Sequence, residues 1–247
     1  MKKRVLIIGS CAVAVIVIAV AIICIALGNF KGTKAFKCEE AYKTKIEEFY
    51  KVITSPESAD MIYDGLGAVQ QAALEFGDEA PDKFGYAFKD VNKDGKEELF
   101  IGCFDDKDSA GANNNIYAAF THDGEMLTQL FEKQERNTFA LTDTGTLYFH
   151  GSDGIAYHIV AEYEMTEEGI VCKDFYFSYP KFGDINEVEY FHNTTGEWDP
   201  DASEKVDMTF EQLEEIRKEL AARTIPIDAK PFSAVEKSMM TDLNKAM

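Results

Sequence analysis

The chain has 247 residues, 46% hydrophobic and 28% charged, a composition that excludes a disordered or low-complexity protein. Its 44 acidic residues outnumber 25 basic ones, a net charge of −19. Such a surface repels nucleic acid and anionic polymers, attracts cations and also serves plain solubility.

Lys2, Lys3 and Arg4 precede an uncharged apolar run, Val5 to Leu27. As a helix this run would span roughly 34 Å, enough for a bilayer core. The positive-inside rule then keeps the N-terminus cytoplasmic and places the rest outside. The expected organisation is a basic tip and transmembrane anchor over 1–27, a linker over 28–34 and one extracytoplasmic domain over 35–247. The rival reading is a signal peptide cleaved after Ala26-Leu27-Gly28, giving a secreted protein, although signal peptides usually have shorter apolar cores. Lipidation fits less well, because Ile23 precedes Cys24 where a small residue is expected. Without the basic tip, 22 basic residues face 44 acidic ones, a net −22.

Cys38, Cys103 and Cys172 lie outside the apolar run, an odd number at wide spacings that gives neither a disulfide framework nor a zinc pattern. Cys103 and Cys172, in or near strand patterns, read as buried small hydrophobes.

Along the domain, Tyr42, Ile46, Phe49, Tyr50 and Ile53 recur at helical spacing, and Pro56 ends that helix. A second helix is expected over 59–76, with Ile62, Leu66, Val69, Ala73 and Phe76 on one face and Gly77 closing it. The period then changes to alternation. Asp123-Gly124, Asp143-Thr144-Gly145 and Asp153-Gly154 are hairpin signals. They predict an antiparallel meander of about seven strands from Lys83 to Tyr179. The stretch 181–207 reads as irregular and holds the single tryptophan, Trp198; Asn193-Thr194-Thr195 within it matches a glycosylation sequon. Thr209 with Gln212 forms a capping-box pattern that opens a helix, and Ser233 with Glu236 opens a last one. The expected fold class is α+β: an N-terminal transmembrane helix, two helices, the meander and C-terminal helices.

The strongest chemical signal is Asp90-x-Asn92-x-Asp94-Gly95-Lys96-x-Glu98 within "DVNKDGKEELFIG". Calcium takes six to eight oxygens, and acidic side chains at alternate positions of a loop supply them. Counting Asp90 as one, Asn92 is three, Asp94 five, the Lys96 carbonyl seven and Glu98 nine, with Gly95 allowing the sharp turn at six. The frame resembles EF-hand and dockerin loops, but Ile101 stands at position twelve in place of a bidentate glutamate. It is more similar to the strand-loop-strand calcium loops of FG-GAP and VCBS repeats. It also resembles the loop of membrane-anchored or lipoprotein-like extracytoplasmic proteins of Gram-positive bacteria. That resemblance covers about fifteen residues closely. It implies a structural Ca2+ in an extracytoplasmic module, held at about 10⁻⁴–10⁻³ M. The competing reading is an Asp-Gly turn with solvated charges, partly neutralised by Lys93 and Lys96.

Two weaker acidic stretches follow. Residues 105–115 read as a mobile loop. Asp199, Asp201, Ser203 and Asp207 alternate but lack the central glycine. His122, His150, His158 and His192 are scattered, and no HExxH, GxSxG, P-loop or dinucleotide fingerprint occurs. Tyr176, Phe177, Tyr179 and Phe182 are dense enough for a sugar or peptide groove. The expected function is therefore a membrane-anchored binding or interaction module for a surface protein, cell-wall material or a small ligand. The alternatives are a cell-wall or polysaccharide hydrolase using acids the sequence does not single out, and an accessory subunit of a membrane complex.

Overall fold

The computed structural model describes residues 39–57, 66–104, 107, 111–123, 126–134, 136–166, 169–181 and 183–235. The expected helix over 5–27, residues 59–65 of the second expected helix and all of the last one beyond 235 lie outside these residues; of that last helix the structure describes only a 3₁₀ turn, Phe232–Ala234. Among the described residues, no helix is long and apolar enough to cross a membrane.

Four layers stack in the order helix, sheet, sheet, helix. Helix α1 (residues 39–54), α2 (Gly67–Phe76) and the single turn α3 (Ala80–Lys83) cover the first sheet. That sheet has five strands, β1 (Phe84–Lys89), β2 (Glu98–Cys103), β3 (Asn115–His122), β4 (Leu127–Glu132) and β11 (Lys230–Pro231). The second sheet has six: β5 (Asn137–Leu141), β6 (Thr146–Ser152), β7 (His158–Thr166), β8 (Gly169–Lys181), β9 (Asp184–Asn193) and β10 (Glu204–Val206). Helix α4 (Phe210–Ala222) lies on its outer face.

Strand alternation explains the layering. Leu99, Ile101 and Cys103 on β2 point to the helices, where they meet Phe49 and Ile53 of α1 and Val69 and Ala73 of α2. Phe100 points the other way and joins Phe131, Phe139, Phe149 and Phe177 between the sheets. The central strands β2 and β3 are buried on both faces, so they read as continuous apolar runs.

The single meander is thus corrected. Eleven strands stand among the described residues, mostly β, in two antiparallel sheets. Each strand from β1 to β4, and each from β5 to β10, pairs with its chain neighbour, but β4 and β5 do not pair. The chain passes from one sheet to the other between β4 and β5, where Arg136 has a φ of 61°. The strands of one seven-stranded sheet could not have buried apolar side chains on both faces without a second layer, and the switch supplies that layer. The stretch expected to be irregular instead pairs as β8–β9–β10.

Locally encoded features appear where expected. The β5–β6 and β6–β7 turns fall at Asp143-Thr144-Gly145 and Asp153-Gly154. Thr209 and Gln212 form a full capping box on α4. After α4, Thr224 bridges Thr142, and Ile225, Ile227 and Ala229 pack on the inter-sheet core before β11 pairs with β1.

Candidate functional site

Residues 90–97 connect β1 to β2 and carry the expected ligand set. Lys93 and Gly95 adopt positive φ, 62° and 86°, which curls the loop. Its acids use one oxygen each to fix the backbone. Asp90 Oδ2 accepts from Gly95 N at 3.1 Å, and Asp94 Oδ1 accepts from Lys96 N at 2.8 Å. Asn92 Oδ1 accepts from Asp94 N at 3.1 Å. Glu98, at the start of β2, is 1% exposed; its Oε2 accepts from Val91 N at 2.9 Å and its Oε1 faces the Thr121 hydroxyl at 3.5 Å.

The second oxygens are the informative ones. Asp90 Oδ1 is buried and hydrogen-bonds nothing. Asp94 Oδ2 has only the Asn92 amide at 3.3 Å and the Lys96 ammonium at 3.7 Å. Burial pushes the Glu98 carboxyl above the ordinary range, the Val91 amide opposes this, and the charges of Asp94 and Asp90 push it further up. A buried acceptor without a donor costs about 1–3 kcal/mol, so an oxygen left this way is a natural place for a cation. The carboxylates alone do not complete a site: among the described residues no group of three or more His, Cys, Asp or Glu is arranged to hold a metal ion. Asn92 and the Lys96 carbonyl would have to supply the remaining oxygens. The loop also abuts the second sheet, since a Cβ on Gly145 in the β5–β6 turn would stand 3.2 Å from the Val91 carbonyl.

The other acidic stretches are structural where they are described. Asp199 caps a short 3₁₀ turn by accepting from Asp201 N at 2.9 Å, and Ser203 donates to the Asp199 carbonyl at 2.7 Å. Asn113 and Asn114 tie their loop to Thr224 and Ile225. His122 packs against Tyr42, with burial and then Lys96 pushing its pKa down. His192 pairs with Asp174 at 3.1 Å under Tyr176. Burial, then Asp174, pushes the Cys172 thiol up to about 11, which keeps it protonated and unreactive. Asn193 of the sequon is buried: its amide donates to the Glu197 carbonyl and to Ser203, both at 2.8 Å, so it has no exposed nitrogen for a glycan.

A cavity of 480 Å³ opens on the second sheet. Phe149, Ile159 and Trp198 line it together with the polar side chains of Gln134, Arg136, Asn137, Ser152 and Asp153. Trp198 is 37% exposed. It stands edge-on to Tyr157 at 5.5 Å, and Tyr157 in turn to Tyr179 at 5.4 Å. Only Tyr179 of the aromatic run expected to line a groove belongs to this cluster; Phe177 is in the core, Tyr176 stacks on His192, and Phe182 lies outside the described residues. The signal available in the sequence was the lone tryptophan in an otherwise polar stretch.

No family model and no curated protein matches the chain. Among solved structures, a Xanthomonas type IV secretion system related protein aligns over 50% of this chain and 58% of its own length, at 14% identity and a TM-score of 0.26. The chain thus matches less than two thirds of that structure, and a likeness of this size carries no argument about function.

Proposed function

We propose that the chain is a calcium-supported binding module, held at the outer face of the membrane through the apolar segment Val5 to Leu27. The observation that carries the binding reading is the open, aromatic-walled cavity beside Trp198, whose 480 Å³ falls within the range of small-molecule sites. The observation that supports calcium is the buried Asp90 Oδ1 without a partner, in a loop whose other acids turn one oxygen each to the backbone. Asp90, Asn92, Asp94 and Glu98, with the Lys96 carbonyl, hold the ion. It neutralises three carboxylates and braces the β1–β2 loop against the β5–β6 turn, so its role is structural. The basic tip before the apolar segment supports an outward domain.

The experiment has two arms. A melting curve of the chain with and without millimolar calcium tests the metal; no rise in Tm, together with an Asp94→Ala variant of unchanged stability, defeats it. Crosslinking and pulldown from intact cells, with a protease-protection control for outward orientation, test the binding reading. A protease-resistant domain that captures nothing from the surface ends it.

A further inference from the structure

The cavity's lining narrows what it takes, an inference that rests on the binding reading above. Its geometry is held from several sides. Trp198 sits in a loop that Asn193 organises: the Asn193 Oδ1 accepts from Thr195 N at 3.1 Å and Gly196 N at 2.9 Å, while its amide donates to the Glu197 carbonyl. The residue after Trp198 is pinned by Ser203. Tyr157 fixes the indole from the side, at an interplanar angle of 86°. Across the cavity, Arg136 is placed by the left-handed turn at the sheet switch. On β6, Gly151 leaves room for two of the lining side chains, since a Cβ there would stand 2.6 Å from Asn137 Oδ1 and 3.0 Å from Phe149 Cζ.

The polar groups facing this space are uncommitted. Among the described residues, the side chains of Gln134, Arg136, Asn137, Ser152 and Asp153 have no hydrogen-bond or ion-pair partner. They comprise amides and a hydroxyl that both donate and accept, one group that only donates and one that only accepts. Arg136 and Asp153 cancel in charge. A polyanion is therefore disfavoured by Asp153 and by the chain's net −19, and an amine by Arg136. A lipid tail would leave five polar groups desolvated and unpaired. What fits an indole flanked by balanced donors and acceptors is a neutral ring with an apolar C–H face and a rim of hydroxyls.

We propose that this cavity binds a neutral oligosaccharide, one pyranose ring stacking on Trp198 and its hydroxyls held by Arg136, Asn137, Ser152 and Asp153. The single tryptophan makes the site its own reporter. The full chain, in a detergent without a sugar headgroup, is titrated with cellotetraose, maltotetraose and chitotetraose, read by tryptophan emission and by calorimetry.

The expected result is a saturable emission change with at least one of them below about 10 mM, weakened at least about tenfold in Asp153→Ala and Arg136→Ala. Calorimetry shows no binding to Trp198→Ala. No saturation by any of the three sugars, or binding that survives Trp198→Ala, overturns the proposal. If the sugars fail while the cell-surface pulldown still captures a partner, the ligand class falls and the binding reading stands.

Discussion

Glu98 on β2 and Glu162 on β7 are both buried strand glutamates, 1% and 7% exposed, and their surroundings drive them in opposite directions. Burial raises both. Around Glu162, however, Thr146 donates at 2.5 Å, Arg223 at 3.0 Å, and Lys173 stands at 3.8 Å, and together they hold its carboxyl below the ordinary range. Around Glu98 the charges are those of Asp94 and Asp90, which leave it raised. One site carries its own cations; the other gathers acids around an oxygen with no donor. The difference teaches that burial does not set the ionisation of a carboxylate until its neighbours are counted: Arg223 and Lys173 face Glu162, whereas the loop's Lys96 stands against Asp94 and leaves Glu98 facing acids.

The sharpest way to break the comparison is Glu162→Ala. It takes the buried carboxylate from Arg223, which keeps Asp143 and Thr144, and from the Thr146 hydroxyl, which keeps Thr142, and should cost about 2–3 kcal/mol by urea unfolding, with or without calcium. A cost below about 0.5 kcal/mol would mean that the Arg223 pair is a surface contact in effect. Next comes the ion itself. At about 10 mM calcium and the affinity expected of such loops, the gain is about 1.4–2.7 kcal/mol, a rise in Tm of about 3–10 °C. Asp90→Asn and Glu98→Gln should remove most of it. Glu98→Gln should at the same time leave the calcium-free protein as stable as before, since it deletes a disfavoured charge. A Gln variant that still responds fully to calcium would detach Glu98 from the site.

The pH dependences should run in opposite senses. Without calcium, the contribution of Glu98 is fully present below its ordinary pKa and fades as the pH climbs through its raised folded value. That of Glu162 is present above its ordinary pKa and fades as the pH drops through its lowered folded value. Unfolding curves of Glu98→Gln and Glu162→Gln against wild type, from pH 3 to 8 in chelator, measure both; parallel profiles would erase the distinction. The smallest effect is expected of Lys173→Ala, which removes the distant and exposed partner of Glu162 and should change stability by no more than about 0.5 kcal/mol.

Features written in a few adjacent residues were legible in the sequence. The β1–β2 loop, the two Asp-Gly turns of the second sheet and the Thr209–Gln212 cap each depend on local backbone chemistry. What could not be read was the partition into two sheets. Strands such as Glu98–Cys103 are buried on both sides, so they carry no alternation to show which layer they face, and the switch rests on a left-handed arginine that no residue preference marks. The cavity was hidden too, because Arg136, Asp153 and Trp198 meet only through the pairing of the second sheet, across separations that carry no sequence signal. The cations of Glu162 come from β8 and from beyond α4, separations over which a sequence gives no pairing signal.

The two-residue strand Lys230–Pro231 has a consequence in time. It closes the edge of β1 by pairing with Gly85 and Tyr86, so the first sheet to leave the ribosome is completed only after every strand of the second has been made. Until then β1 presents an unpaired edge, and the hydrophobic strands behind it wait for a contact of very long sequence separation. A chain cut before Lys230 should therefore lose on two counts, the open edge inviting copies of itself while the missing Phe232 and Val235 leave a hole in the first core.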